Sequence, residues 1–264
     1  MADPILIRKD AASVAHLTLN NPGALNALSE EMITELTAEL ERISEDGTIR
    51  AVIISGAGKV FCAGHDLKQM TAARQSEDGG KSYFQDLFAR CARMMTLITQ
   101  MPQPVIAQVH GIATAAGCQL VASCDMAVAA SGTRFGVNGV NIGLFCSTPM
   151  VALSRNIPRK QAFEMLTTGA FISADRAAEL GLINRVVPHE DLETETLTLA
   201  NTVASKLGNA VKIGKSAFYD QFSMDLQDAY AFTGDVMAEN MMFQDTEEGI
   251  NAFIEKRAPN WDQS

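Results

Sequence analysis

The chain is short of positive charge, of paired cysteines, of metal-spaced histidines and of long apolar runs, and each shortage excludes something. Twenty-one Lys and Arg stand against thirty-one Asp and Glu, a formal net charge of −10. A basic face for nucleic acid is not to be expected from that balance. Five cysteines, Cys62, Cys91, Cys118, Cys124 and Cys146, form no CxxC and cannot all pair. An odd count without motif spacing argues for reduced thiols in an intracellular protein rather than a disulfide framework. The four histidines are scattered without zinc-ligand spacing, so no metal site is expected. No apolar run approaches the roughly 20 residues of a membrane-spanning helix. The segment MADPILIRKD has neither an apolar signal core nor an Arg/Ser-rich amphipathic stretch, and the expected location is cytoplasmic.

What is present is enough apolar material for a large core: 264 residues, 47% hydrophobic. VAHLTLN (14–20), AVIIS (51–55), VIAQV (105–109), MAVAA (126–130) and INRVV (183–187) read as short buried strands. Between them lie helical patterns. Ser29 is a suitable N-cap, and Met32, Leu36, Leu40 and Ile43 repeat at helical spacing over 30–44. A second helix spans about 83–99, and Ser173 and Gly181 are placed to open and close a third. QSEDGGKS (75–82) reads as a mobile loop. From Leu192 onward no strand is evident, and three helices are expected at about 190–206, 222–241 and 245–257. The division is therefore an α/β core over 1–190 and a helical region over 191–264. That region carries Phe218, Phe222, Met237, Met241 and Phe253, so its apolar surface calls for docking on the core or a neighbouring subunit. GNAVKIGKS (208–216) imitates a phosphate loop, but five residues separate its glycines where four are required.

Two segments carry the chemistry. FCAGHDLK (61–68) and HGIATAAGCQL (110–120) each follow a buried strand and bring small residues where backbone N–H groups can face a ligand. The second opens a helix, whose first N–H groups are unpaired and partially positive. Two such donors on one oxygen form an oxyanion hole.

These segments, with SCDMAVA, FGVNGVNIGLF, the early turn NPGALNALS (21–29) and EGINAFIEKRAPNW (248–261), resemble the crotonase (enoyl-CoA hydratase/isomerase) superfamily over nearly the whole chain. The resemblance implies a crotonase-like spiral of ββα units with a C-terminal helical trimerisation region, assembled as a homotrimer or dimer of trimers. It implies an acyl-CoA substrate, with coenzyme A entering as part of that substrate and no permanently bound cofactor. Carried over by motif, the oxyanion donors are the N–H groups of His65 and Ala116, with Gly117 allowing close approach. Ala63, His65, Asp66 and Leu67 would surround the coenzyme, with Leu25 and Leu28 from the early turn. Phe253 and Lys256 would reach it from the tail or a neighbouring subunit, Lys256 as a point charge for phosphate or simply as a solvated cation. The His65 imidazole either fills space or acts on substrate.

The chain departs from the family where a hydratase holds its two glutamates. These fall at Gln119 and Gly139, and no carboxylate lies between Gly111 and Ser123. Glutamine orients water but cannot take its proton, and glycine offers no side chain. Ordinary hydration is therefore doubtful. Cys146 stands where other members place an acting residue, and it reads either as a nucleophile or weak acid or as a small buried hydrophobe, with Asn141 a further polar contact. The expected function is an acyl-CoA enzyme of hydratase-like class whose chemistry is of decarboxylase or hydrolase type. The alternative is a non-catalytic acyl-CoA-binding or regulatory protein.

Overall fold

A computed structural model describes residues 3–261. Its centre is a six-stranded sheet in the order β1 (Leu6–Ala11), β2 (Val14–Leu19), β3 (Ala51–Gly56), β4 (Val105–Val109), β6 (Met126–Ala130) and β9 (Arg185–Val187). β1 and β2 form an antiparallel hairpin, and every later pairing in this sheet is parallel. The inner strands read as unbroken apolar runs because helices cover both faces. A smaller sheet pairs β5 (Ile112–Thr114) with β7 (Arg134–Gly136) and β7 with β8 (Ile172–Ser173).

On one face the main sheet packs against α1 (Glu30–Glu45), α3 (Lys81–Gln100) and α4 (Ala116–Ser123), sealing a core that includes Leu17, Leu36, Ile54, Phe61, Met94 and Phe135. Ser29 caps α1 by accepting from the Met32 N–H at 3.2 Å. On the other face α8 (Leu192–Ala204) lies across the strands, with Ala200 buried against Val14, Ile53 and Ile106.

Several elements differ from the sequence reading. β1 was not expected: LIRKDA is half charged because it is an edge strand, and edges tolerate Arg and Lys. α2 (Leu67–Ala73), α5 (Ser147–Asn156) and α6 (Arg159–Thr168) are short helices with narrow apolar faces. The region 75–82 is a hydrogen-bonded turn. Asp78 accepts from Ser76 Oγ at 2.8 Å, Gly80 N at 2.9 Å, Ser82 N at 2.8 Å and the Ser82 hydroxyl, and these donors hold its carboxyl far below the usual range. α7 (Ala174–Leu180) is capped by Ser173 and closed by Gly181 in the left-handed region, as expected.

Among the described residues the tail holds four α-helices where three were expected: α8, α9 (Gly208–Asp220), α10 (Leu226–Met241) and α11 (Gln244–Glu255). The phosphate-loop imitation lies within α9, which packs on α3. Beyond it the chain exposes Phe218, Phe222, Leu226, Tyr230, Met237 and Phe253.

Candidate functional site

The two small-residue segments meet. After β3 the chain runs through Phe61 and Cys62, whose backbones bond to β5: Cys62 N donates to Ile112 O at 3.2 Å and Thr114 N to Cys62 O at 3.0 Å. The early turn closes over the same segment, with Ala63 N donating to Leu25 O at 3.1 Å and Leu28 N to Gly64 O at 2.7 Å. Leu25, Leu28, Ala63, Gly64 and His65 are thereby gathered with the start of α4.

Glycines make this approach possible. Gly64 has φ +94°, and a Cβ there would fall 3.0 Å from Ala115 Cβ and 3.4 Å from Ala116 N. A Cβ on Gly117 would fall 2.3 Å from Cys62 O, so Gly117 is required for packing α4 onto the segment. The N–H groups of His65 and Ala116 have no acceptor among the described residues. Ala116 sits at the first position of α4, where the helix dipole adds positive potential. The arrangement suits an oxygen that gains negative charge.

The residue that aims α4 is unusual. Ala115 adopts φ 50°, ψ −119°, a conformation that a side chain disfavours. It is held by Ala115 N donating to Gly136 O at 2.9 Å and, one residue earlier, by Thr114 Oγ1 donating to Asn138 Oδ1 at 2.6 Å.

Two buried polar atoms of these segments have no partner among the described residues: His65 Nε2 and Gln119 Oε1. Gln119 is 5% exposed and lies one turn into α4. The His65 ring meets Phe88 of α3 edge-on, with centroids 5.6 Å apart, and its Nδ1 lies 3.4 Å from Leu28 O. Burial lowers its pKa, which keeps the imidazole neutral. Burial also raises the Tyr83 phenol to about 12, with Glu30 adding to the shift. Tyr83 and Phe88 escaped the sequence reading because nothing in the pattern of α3 distinguishes a site-facing aromatic from a core one.

Carboxylates are absent or engaged. None occurs between Asp125 and Glu164. Asp66 caps α2, accepting from Lys68 N at 2.8 Å and Gln69 N at 3.2 Å. Gly139 lies in a 3-10 turn (Asn138–Ile142), where a Cβ would fall 2.3 Å from Leu144 O and 2.8 Å from Cys146 Sγ. The following turn thus fills the direction a side chain would take. Cys146 is buried and its pKa is raised by that burial, so it is a protonated thiol packed against Gly139. This favours the small buried hydrophobe over the nucleophile. Asn141 packs against Gly169.

The other expected contacts lie further out. Leu25 and Leu67 are 49% and 52% exposed beside the segment. Phe253, 85% exposed, and Lys256, which ends α11 in the left-handed region, are at the far end of the tail and face solvent within one chain. Among the described residues no group of three or more His, Cys, Asp or Glu side chains could hold a metal, and no helix is long and apolar enough to cross a membrane.

Comparison with known proteins identifies the family and the fold. A family model described as enoyl-CoA hydratase/isomerase matches residues 9–264. The mitochondrial enoyl-CoA hydratase domain-containing protein 3 of Xenopus laevis is 47% identical over 99% of this chain and 87% of its own length. A solved enoyl-CoA hydratase of Mycobacterium smegmatis superposes with a TM-score of 0.94 at 52% identity, covering 98% of this chain and 99% of that one. The human enoyl-CoA hydratase domain-containing protein 3 gives a TM-score of 0.93 at 43% identity, covering 97% and 100%.

One expectation is corrected by these relatives. The frog, mouse and human proteins at 45–47% identity are all named mitochondrial, which conflicts with the cytoplasmic location read from the sequence. Cysteines without a disulfide pattern argue for reduced thiols, and that does not separate one reducing compartment from another.

Proposed function

The chain belongs to the enoyl-CoA hydratase/isomerase family, and from that premise we propose that it acts on an acyl-CoA thioester without a carboxylate pair. In this reading the thioester oxygen accepts from the N–H groups of His65 and Ala116. Such donors stabilise charge that develops in the transition state, at about 3 kcal/mol each in well-measured cases.

The observation that carries the proposal is the pairing of two unpartnered N–H groups with two neutral buried side-chain atoms, Gln119 Oε1 and His65 Nε2, that have no partner among the described residues. Gln119 cannot take a proton from water as a glutamate would, and the neutral His65 imidazole, its pKa lowered by burial, is a weaker base than its free form. Decarboxylation is the economical chemistry. When a carboxylate β to the thioester leaves as CO₂, the electrons of the broken C–C bond pass into the enolate, whose oxygen the two N–H groups hold. The enolate then takes one proton at Cα from solvent. Thioester hydrolysis, with Gln119 orienting the water, is the variant that the same groups support.

Leu25, Leu28, Ala63, Asp66 and Leu67 would line the coenzyme path, and Gly117 and Gly139 would shape its acyl end. The exposed apolar side chains of α9, α10 and α11 are the surface through which trimers or dimers of trimers would form. In such an assembly Phe253 and Lys256 would be brought to a neighbour's coenzyme.

The test is incubation with crotonyl-CoA and methylmalonyl-CoA, products being followed by mass spectrometry. Propionyl-CoA with no hydrated crotonyl product is the expected result. Hydration of crotonyl-CoA at an ordinary enzymatic rate would overturn the reading. Tight binding of both with turnover of neither would replace it with a non-catalytic acyl-CoA binder.

A further inference from the structure

We infer that Thr114 and Asn138 are a positioning pair that aims the Ala116 N–H at its ligand. The inference rests on the reading that this N–H holds a thioester oxygen.

Three hydrogen bonds hold the turn before α4, and a fourth, Gln119 N to Ala115 O at 3.0 Å, ties its carbonyl into the helix. Two are backbone bonds, Thr114 N to Cys62 O at 3.0 Å and Ala115 N to Gly136 O at 2.9 Å, and they follow from the pairing around β5. They fix where the turn starts. The third, Thr114 Oγ1 to Asn138 Oδ1 at 2.6 Å, is made by side chains alone. It links the residue before the turn to the first residue of the 3-10 turn that carries Gly139.

Ala115 gives this bond its significance. With φ 50° and ψ −119°, an alanine occupies backbone space that glycine adopts freely and other residues rarely. Such a conformation persists only where its surroundings over-determine it. That conformation sets the direction of the next peptide plane, which carries the Ala116 N–H. If Ala115 relaxes, the peptide that carries the Ala116 N–H tilts within the limits set by the Gln119 N to Ala115 O bond, while α4 stays packed through Gly117 on Cys62. Thr114 is 9% exposed, so its hydroxyl has little water to turn to. The pair also ties the two walls of the site together: the N–H turn on one side, and the loop of Gly139, Leu144 and Cys146 on the other.

The experiment uses 2,4-hexadienoyl-CoA, whose absorption moves to longer wavelength when its thioester carbonyl is polarised. Wild type, Thr114→Val, Thr114→Ser and Asn138→Leu are titrated with the probe, and circular dichroism checks each fold. A red shift is expected in wild type. In Thr114→Val and Asn138→Leu that shift should fall by about half or more at an affinity within a few-fold of wild type, because one of the two donors is misaligned. Thr114→Ser, which keeps the hydroxyl, should restore it. A wild-type shift in folded Thr114→Val overturns the inference and leaves the proposed function standing. Should Thr114→Val not fold, Asn138→Leu decides by the same criterion. Probe bound by wild type without any shift overturns the thioester reading itself, and the positioning role with it.

Discussion

Lys215 Nζ donates to Asp125 Oδ2 across 2.6 Å, joining α9 to the junction between α4 and β6. The ammonium also donates to Ile98 O at 2.8 Å and Gln103 O at 2.9 Å, so its three protons are used. Asp125 in turn accepts from Tyr219 Oη at 2.8 Å and Val105 N at 2.6 Å. The lysine of the imitation phosphate loop is thus a buried clamp that fixes the tail to the core. Its burial works against the charged form, and Asp125 opposes that effect.

Lys215→Met should therefore be strongly destabilising, since Asp125 and two carbonyls lose their donor inside the protein. A loss of about 3 kcal/mol in urea unfolding is expected, with hydrogen exchange accelerated in α9. A loss below about 1 kcal/mol would show that water or rearrangement replaces the clamp.

Position 139 should not accept a side chain without cost. A Cβ at Gly139 meets Leu144 O and Cys146 Sγ, and Leu144 N is bonded back to Gly139 O at 3.0 Å. Even Gly139→Ala should cost about 1–3 kcal/mol through overpacking. Thermal unfolding measures this, and an unchanged midpoint would mean that the 139–146 turn opens easily.

Stability should fall in mild acid. Burial holds the imidazoles of His16 and His65 below the ordinary value of 6.5, and His16 Nε2 bonds Ser55 Oγ at 2.8 Å. As pH falls through 6.5 the unfolded chain takes up protons that the folded chain resists, so the unfolded state gains. Full stability is present above that value and is lost progressively as the folded-state pKa values are approached. Urea midpoints at about pH 7.5 and about pH 5.5 should differ, and His16→Gln should reduce the difference. Equal midpoints in wild type would remove these histidines as the cause.

The cap at Ser29, the stop at Gly181 and the strands at β2, β3, β4 and β6 were legible because each is a local signal: a side chain beside an open N–H, a left-handed glycine, an apolar run. β5, β7 and β8 were not, since two or three residues carry no periodicity. α9 was hidden for another reason: its Gly, Asn and Lys residues look like a loop until Lys215 finds Asp125, whose partnership depends on residues ninety positions apart.

The sequence by itself determined the family and the two small-residue segments, because these lie in contiguous motifs. Only the tertiary structure decided that Gly64 abuts Ala116 N, that Gln119 Oε1 and His65 Nε2 are buried without partners among the described residues, that Cys146 is packed as a thiol against Gly139, and that Thr114 bonds Asn138 beside a positive-φ Ala115. Burial, hydrogen-bond satisfaction and peptide orientation are relations between segments brought together by folding, and no one segment contains them.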